Sequence, residues 1–170
     1  RLGTGAFSDV YRARRVGMLP ILTTIKLSAR PGGAAHLASE ASVLQELHDS
    51  ADDLAASYVA QCLPRPIACG PVENEMGTHA LVLRHPTGYW GSLADLTGHF
   101  PGGIDPRHAV WIWRRMLDLL KYVHTAGWAH GDIRPEHALV HPADHGVRII
   151  GWAAARRGAP WQAQATDLMR

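Results

Sequence analysis

Residues able to do chemistry stand at four places along the chain. Gly3-Thr4-Gly5-Ala6-Phe7-Ser8-Asp9-Val10 has paired glycines, which, lacking Cβ atoms, let backbone N–H groups approach phosphate oxygens. Alone, such a loop is more often a plain glycine hairpin. Lys26, in Thr24-Ile25-Lys26, lies late in an apolar, β-branched run and could reach phosphates. Alone, it reads as a solvated lysine on an edge strand. Glu40 follows 14 residues later in a helical pattern, where its carboxylate could face Lys26 with Leu44 and Leu47 beneath it. A helical glutamate is usually solvated, but loop, lysine and glutamate in this order and spacing rarely coincide by chance. The fourth place is His130-Gly131-Asp132-Ile133-Arg134-Pro135-Glu136-His137, a polar loop running into apolar Ala138-Leu139-Val140.

The elements that must position these groups can be read from periodicity. Residues 10–15 and 21–27 read as two strands, with Gly17 and Pro20 marking the turn between them. From Ala34 to His48, Leu37, Ala41, Leu44 and Leu47 share one helical face. Two further strands are expected at Pro66–Val72 and His79–Arg84, turning at Asn74-Glu75-Met76-Gly77, whereas residues 49–64 give no clear pattern. Asp105 as N-cap with Pro106 behind it starts a helix that runs to about Ala126 and stops at Gly127. Val110, Trp113, Leu117, Leu120, Tyr122 and Val123 are expected on its inner face. Strands at Ala138–His141 and Val147–Ile150 follow, joined by a Pro142…Gly146 turn, and Asp167 reads as opening a further helix.

These segments resemble the eukaryotic-type serine/threonine protein kinases. The glycine loop follows G-x-G-x-x-G-x-V with Ser8 for the third glycine, Thr24-Ile25-Lys26 follows V-A-I-K, and the histidine, aspartate and proline of 130–135 fit the catalytic loop. The resemblance covers nearly the whole chain and implies an α+β, two-lobed fold. An antiparallel-sheet N-lobe with one helix would occupy residues 1–86, and a mainly helical, truncated C-lobe residues 87–170. It implies ATP in the cleft, with Gly3, Gly5 and Val10 covering it, Lys26 holding phosphates and Glu40 pairing with Lys26. By the same resemblance Asp132 orients an acceptor hydroxyl and Arg134 pairs with a phosphate. His-Gly-Asp and the short segment after it are also similar to the aminoglycoside and choline phosphotransferases.

Two departures from the pattern fall on the metal. His137 stands where the family has an asparagine for a second magnesium ion, and imidazole nitrogen suits this hard cation poorly. Gly151-Trp152-Ala153 stands for D-F-G: Trp152 can anchor as the phenylalanine does, but Gly151 offers no ligand. Magnesium offsets charge developing on the transferred phosphoryl, so Mg2+ is not expected to be held well and efficient transfer is not expected. Gly131 replaces an arginine that would grip an activation-loop phosphate, and 15 residues between Gly151 and Asp167 leave little room for a peptide platform. Pro86 falls where the hinge would donate an N–H to adenine, which proline lacks. The expected reading is a pseudokinase that binds ATP or another nucleotide weakly or without metal and works through a protein partner. The alternatives are an active serine/threonine or small-molecule kinase with an atypical metal site, and a purely structural remnant.

Composition bounds the remaining classes. At 46% hydrophobic, 19% charged and net charge +2, the 170 residues are ordinary globular material with scattered basic residues, so neither nucleic acid nor a membrane surface is an expected partner. Two cysteines, Cys62 and Cys69, fit a reducing, cytoplasmic compartment better than a disulfide framework. The start at Arg1 and the motif-cutting ends suggest a piece of something longer, even a membrane-anchored protein. His137, His141 and His145 would make a metal face only on a helix, which Pro142 and the strand pattern oppose. Trp111-Ile112-Trp113 is expected to pack between elements, with Trp90, Trp111 and Trp128 available to a partner surface.

Overall fold

The structure, a computed structural model, describes residues 1–16, 21–53, 55–158 and 161–169. Strands β1 (Gly3–Thr4), β2 (Asp9–Arg15) and β3 (Ile21–Ser28) lead into helix α1 (Gly33–Asp49), the short α2 (Ala56–Cys62), then β4 (Pro66–Pro71) and β5 (His79–Arg84). The five strands form one antiparallel sheet in the order β1-β2-β3-β5-β4, a truncated kinase-like α+β arrangement with α1 against β4 and β5. Leu37, Val43, Leu44 and Leu47 are buried on α1 together with Glu40, the stripe that helical periodicity demands of one packed face. The Gly17–Pro20 turn lies outside the described residues. The 74–77 turn is present, with Asn74 and Gly77 both at positive φ.

Beyond the sheet, β6 (Gly91–Ser92) runs into α3 (Leu93–His99), a helix the periodicity did not reveal. Its start is a capping box, in which Ser92 accepts from the Asp95 N–H and Asp95 accepts from the Ser92 N–H. Helix α4 (Pro106–Thr125) begins as its sequence requires: the Asp105 carboxylate accepts the Arg107 N–H at 2.8 Å, with proline in the first turn. It ends before Gly127, which takes φ +81°. Its buried face, however, is Ile112, Met116, Leu119, Leu120 and Val123, while Val110 and Trp113 are 51% and 52% exposed. Leu120 and Val123 lie inward as expected, whereas Ile112 takes the inner position in place of Trp113, its neighbour about 100° round the helix. Trp113 therefore does not fill the core, and Trp128, expected at the surface, is buried beneath the Arg157 guanidinium.

After α4 come β7 (Trp128–Ala129), the loop to a single 3-10 turn at Pro135–His137, and strands β8 (Ala138–His141) and β9 (Gly146–Ile149) in a small sheet with β6. A second 3-10 turn, Trp152–Ala154, precedes β10 (Arg156–Arg157), which pairs with β7, and α5 (Trp161–Met169). His137, His141 and His145 thus sit in a 3-10 turn, a strand and a β-turn rather than on a helix. Among the described residues no helix is long and apolar enough to cross a membrane.

Candidate functional site

Register brings the first group together. Gly3 pairs with Val10, Val10 with Lys26 and Lys26 with Leu81, so these residues form one cross-strand row. β3 is the middle strand of five, which removes the edge-strand reading of Lys26. The Lys26 ammonium donates to both Glu40 oxygens at 2.7 Å, and the two side chains are only 13% and 3% exposed. A charge pair this buried survives because each member satisfies the other. Glu40 Oε1 also accepts the backbone N–H of Trp152 at 3.3 Å, tying α1 to the turn after Gly151.

Gly5 is less available than its sequence pattern implies. Its N–H donates to Ser8 O at 2.8 Å within the turn, and its carbonyl accepts from Arg30 Nη1 at 2.7 Å. Arg30 also pairs with Asp9 at 3.1 Å, and Phe7 stacks on His36 of α1 with ring centres 3.5 Å apart. In this conformation the loop is drawn back onto its own sheet and helix. Thr24, the residue that replaces the small alanine, bonds His85 Nδ1 at 2.8 Å, and the N–H of His85 is spent on Leu22 O.

The second group is held by residues whose roles are tertiary. Asp167, the seventh of nine residues in α5 rather than an opening residue, sends its buried carboxylate back to accept the N–H groups of His130 and Gly131 at 2.7 and 2.8 Å. His124 Nε2 lies 3.2 Å from the same carboxylate. His130 is fully buried; its Nε2 donates to Ile150 O and its Nδ1 accepts the Asp132 N–H. Burial first of all pushes its pKa down from 6.5 to about 4, which fits a neutral ring with one donor and one acceptor. Trp152 packs edge-on to it, 4.5 Å between ring centres, and is completely buried. Gly131 has φ +79°, and a Cβ there would lie 2.6 Å from Ala154 O, so no arginine fits this backbone.

Asp132 is 27% exposed, with Arg134 Nη2 3.1 Å from its Oδ2. His137 Nδ1 donates to Asp132 O at 2.8 Å, which leaves Nε2 as acceptor, 3.4 Å from Arg134 Nη2. The His137 ring also covers Gly151. A Cβ on Gly151 would stand 2.8, 2.9 and 3.0 Å from Cε1, Nε2 and Cδ2 of that ring, with the glycine at φ +84°. A magnesium site needs clustered oxygen ligands. The two positions that would supply them instead carry an imidazole engaged at both nitrogens and a glycine with no room for a side chain. These residues do not fit the ion. Asp167, Arg30 and the His137–Gly151 contact had no local signature; each depends on strands or helices folding back over long separations.

Known proteins place the chain. Residues 24–151 match the lipopolysaccharide kinase (Kdo/WaaP) family. The calcium/calmodulin-dependent protein kinase type 1 of Caenorhabditis briggsae is 29% identical over 153 residues, covering 88% of this chain and 38% of that protein. The serine/threonine-protein kinase stk11 homolog of Dictyostelium discoideum is 24% identical over 145 residues, 81% of this chain and 22% of that protein. The STE20-related kinase adapter protein strd-1 of Caenorhabditis elegans is 33% identical over 63 residues, 36% of this chain and 16% of that protein. The chain thus spans well under half the length of these relatives. With three quarters of its residues inside the match, the chain belongs to the lipopolysaccharide kinase (Kdo/WaaP) family of protein kinase-like proteins.

Proposed function

We propose that this kinase-like domain is a pseudokinase, which binds ATP or another nucleotide without a divalent ion and acts as a regulatory or interaction module. In this reading residues 1–86 form the N-lobe and 87–170 the C-lobe, with nucleotide between them. The observation that carries it is the His137 ring lying on Gly151, because it fills the space a ligand side chain would need. Gly3, Val10 and Lys26 face the nucleotide, with Asp132 and Arg134 on the opposite lobe, and Gly5 contributes once its N–H leaves Ser8 O. The adapter named among the relatives is a precedent for a kinase-like chain serving a protein partner.

The second reading is an active kinase with an atypical metal arrangement, favoured by the assembled Lys26–Glu40 pair. Serine/threonine peptides and, from the family's name, lipopolysaccharide sugars are its acceptors to assay. Thermal-shift titration of the intact protein with ATP, alone and with magnesium or manganese, separates the two. A shift with ATP alone that Lys26→Arg reduces is expected. A metal-dependent shift, with phosphate transfer that Asp132→Asn abolishes, would overturn the pseudokinase reading.

A further inference from the structure

A second cleft, of about 370 Å³, shares no lining residue with the Lys26–Glu40–Gly151 group. It lies between α2, the end of β5, the 85–89 segment, the β8–β9 turn and α4. Its lining is strongly cationic: Arg65, Arg84, Arg115 and Arg148, against the lining carboxylate of Asp144, which is 78% exposed and stands beside His141, and the carboxylate of Asp118, 3.9 Å from Arg115 Nη1. Arg148 is the unusual member. Only 8% exposed, it has no carboxylate partner among the described residues. Its Nη2 donates to Ala60 O at 3.1 Å, its guanidinium lies 5.3 Å over the Tyr89 ring, and its Nε–H has no acceptor. An arginine cannot shed its charge, and an uncompensated buried charge is costly. A carbonyl and an aromatic face soften that cost without neutralising it.

Neighbouring groups register the same positive field. Burial lowers the pKa of His48 and of His85, and Arg148 pushes both lower still, joined by Arg65 at His48 and by Arg12 at His85. Four arginines lining one concave, polar space match the oxygens of a doubly charged oxyanion better than those of a lone carboxylate.

We propose that this cleft is a binding site for the phosphate group of a small soluble phosphomonoester, with Arg148 as its buried anchor and Arg65, Arg84 and Arg115 at its mouth. The site is independent of how the nucleotide cleft works. The ligand supplies the anion that the fold leaves out, and binding tightens the packing of α2 on β9.

Thermal unfolding of the intact protein with inorganic phosphate, against sodium chloride at equal ionic strength, tests this. A site with Kd near 1 mM raises Tm by about 3–6 °C at 10 mM phosphate. Arg148→Met should abolish the rise while leaving Tm without phosphate unchanged or higher, because it removes an unpaired buried charge rather than a pair. The exposed Arg65→Gln/Arg84→Gln pair, which has no fold to disturb, should weaken binding about 10-fold. A rise no larger than that given by chloride overturns the proposal. So does one that survives both sets of substitutions, or one lost only with Lys26→Arg, which would put the phosphate in the other cleft. Binding to phosphatidic-acid vesicles with no response to free phosphate would equally reject a soluble ligand.

Discussion

Adding a side chain at Gly151 is expected to destabilise the protein in a way that depends on His137. With Cβ 2.8–3.0 Å from three ring atoms, Gly151→Ala must push the imidazole aside. Overpacking of this kind costs about 1–3 kcal/mol. The left-handed backbone at φ +84° adds about 1–2 kcal/mol for any L side chain. Together these come to about 2–5 kcal/mol, or a fall in Tm of roughly 5–15 °C for a chain of this size. His137→Ala alone loses the bond to Asp132 O, about 1 kcal/mol. In the double variant the clash vanishes and only the backbone term remains, so the two changes should be non-additive by about 1–3 kcal/mol. Denaturant unfolding of the four proteins measures this directly. Additivity within about 0.5 kcal/mol would mean that the ring moves freely and does not occupy the ligand position. The same contact decides how a metal site might be rebuilt. Gly151→Asp alone should lower Tm without conferring magnesium-dependent ATP binding, whereas any gain should need His137→Asn beside it.

Two further outcomes follow from buried charge. His130 is held near pKa 4 in the fold against 6.5 when exposed, so the unfolded chain takes up a proton that the fold refuses. Its contribution is complete above pH 6.5 and is lost as pH falls toward 4, about 2 kcal/mol of it by pH 5. His48 and His85 shift in the same direction, so the test is the difference between wild type and His130→Gln: unfolding free energy should fall less steeply from pH 7 to 5 in the variant, and equal slopes would refute the assignment. Lys26→Met leaves the Glu40 carboxylate buried with little besides the Trp152 N–H, at a cost of about 3–5 kcal/mol. Lys26→Met/Glu40→Leu should recover most of that loss by denaturant unfolding, and failure to recover would show that the pair is not what stabilises the position.

What could be read beforehand was local. Asp105 and Pro106 announced the start of α4, and the β-branched, apolar run of 21–27 announced β3, because capping and strand propensity are decided within a few residues. The 14-residue spacing from Lys26 to Glu40 was also informative, since a strand end, a tight Pro31–Gly33 break and two helical turns leave few other places for the carboxylate. The capping box at Ser92 and Asp95 was equally local, but α3 has no buried residue and so no apolar stripe to accompany it. On α4, Leu120 and Val123 were legible as core, whereas Val110 and Trp113 were not, because a surface tolerates single exposed apolar residues. Asp167 stood out only as a residue opening a helix, and its role could not be read: two of its partners are backbone N–H groups 36 and 37 residues away, which carry no residue-type signal.

The geometry also changes what an intact lysine–glutamate pair can be taken to mean. Loss of a metal ligand by drift should leave a gap where the side chain had been, and a gap next to a buried core costs stability. No such gap faces Gly151, because His137 lies against it and is itself fixed by Asp132 O. Glu40, nearly inaccessible, needs Lys26 whether or not phosphate is ever transferred, since removing either partner strands a buried charge. The Trp152 N–H on Glu40 and the Trp152 ring against His130 then extend this demand across the cleft. Selection for folding alone is therefore enough to keep Lys26, Glu40 and His130 in place, so their presence is compatible with catalysis but does not require it. The positions that discriminate are 137 and 151, where ligand chemistry and packing make opposite demands and packing has been met.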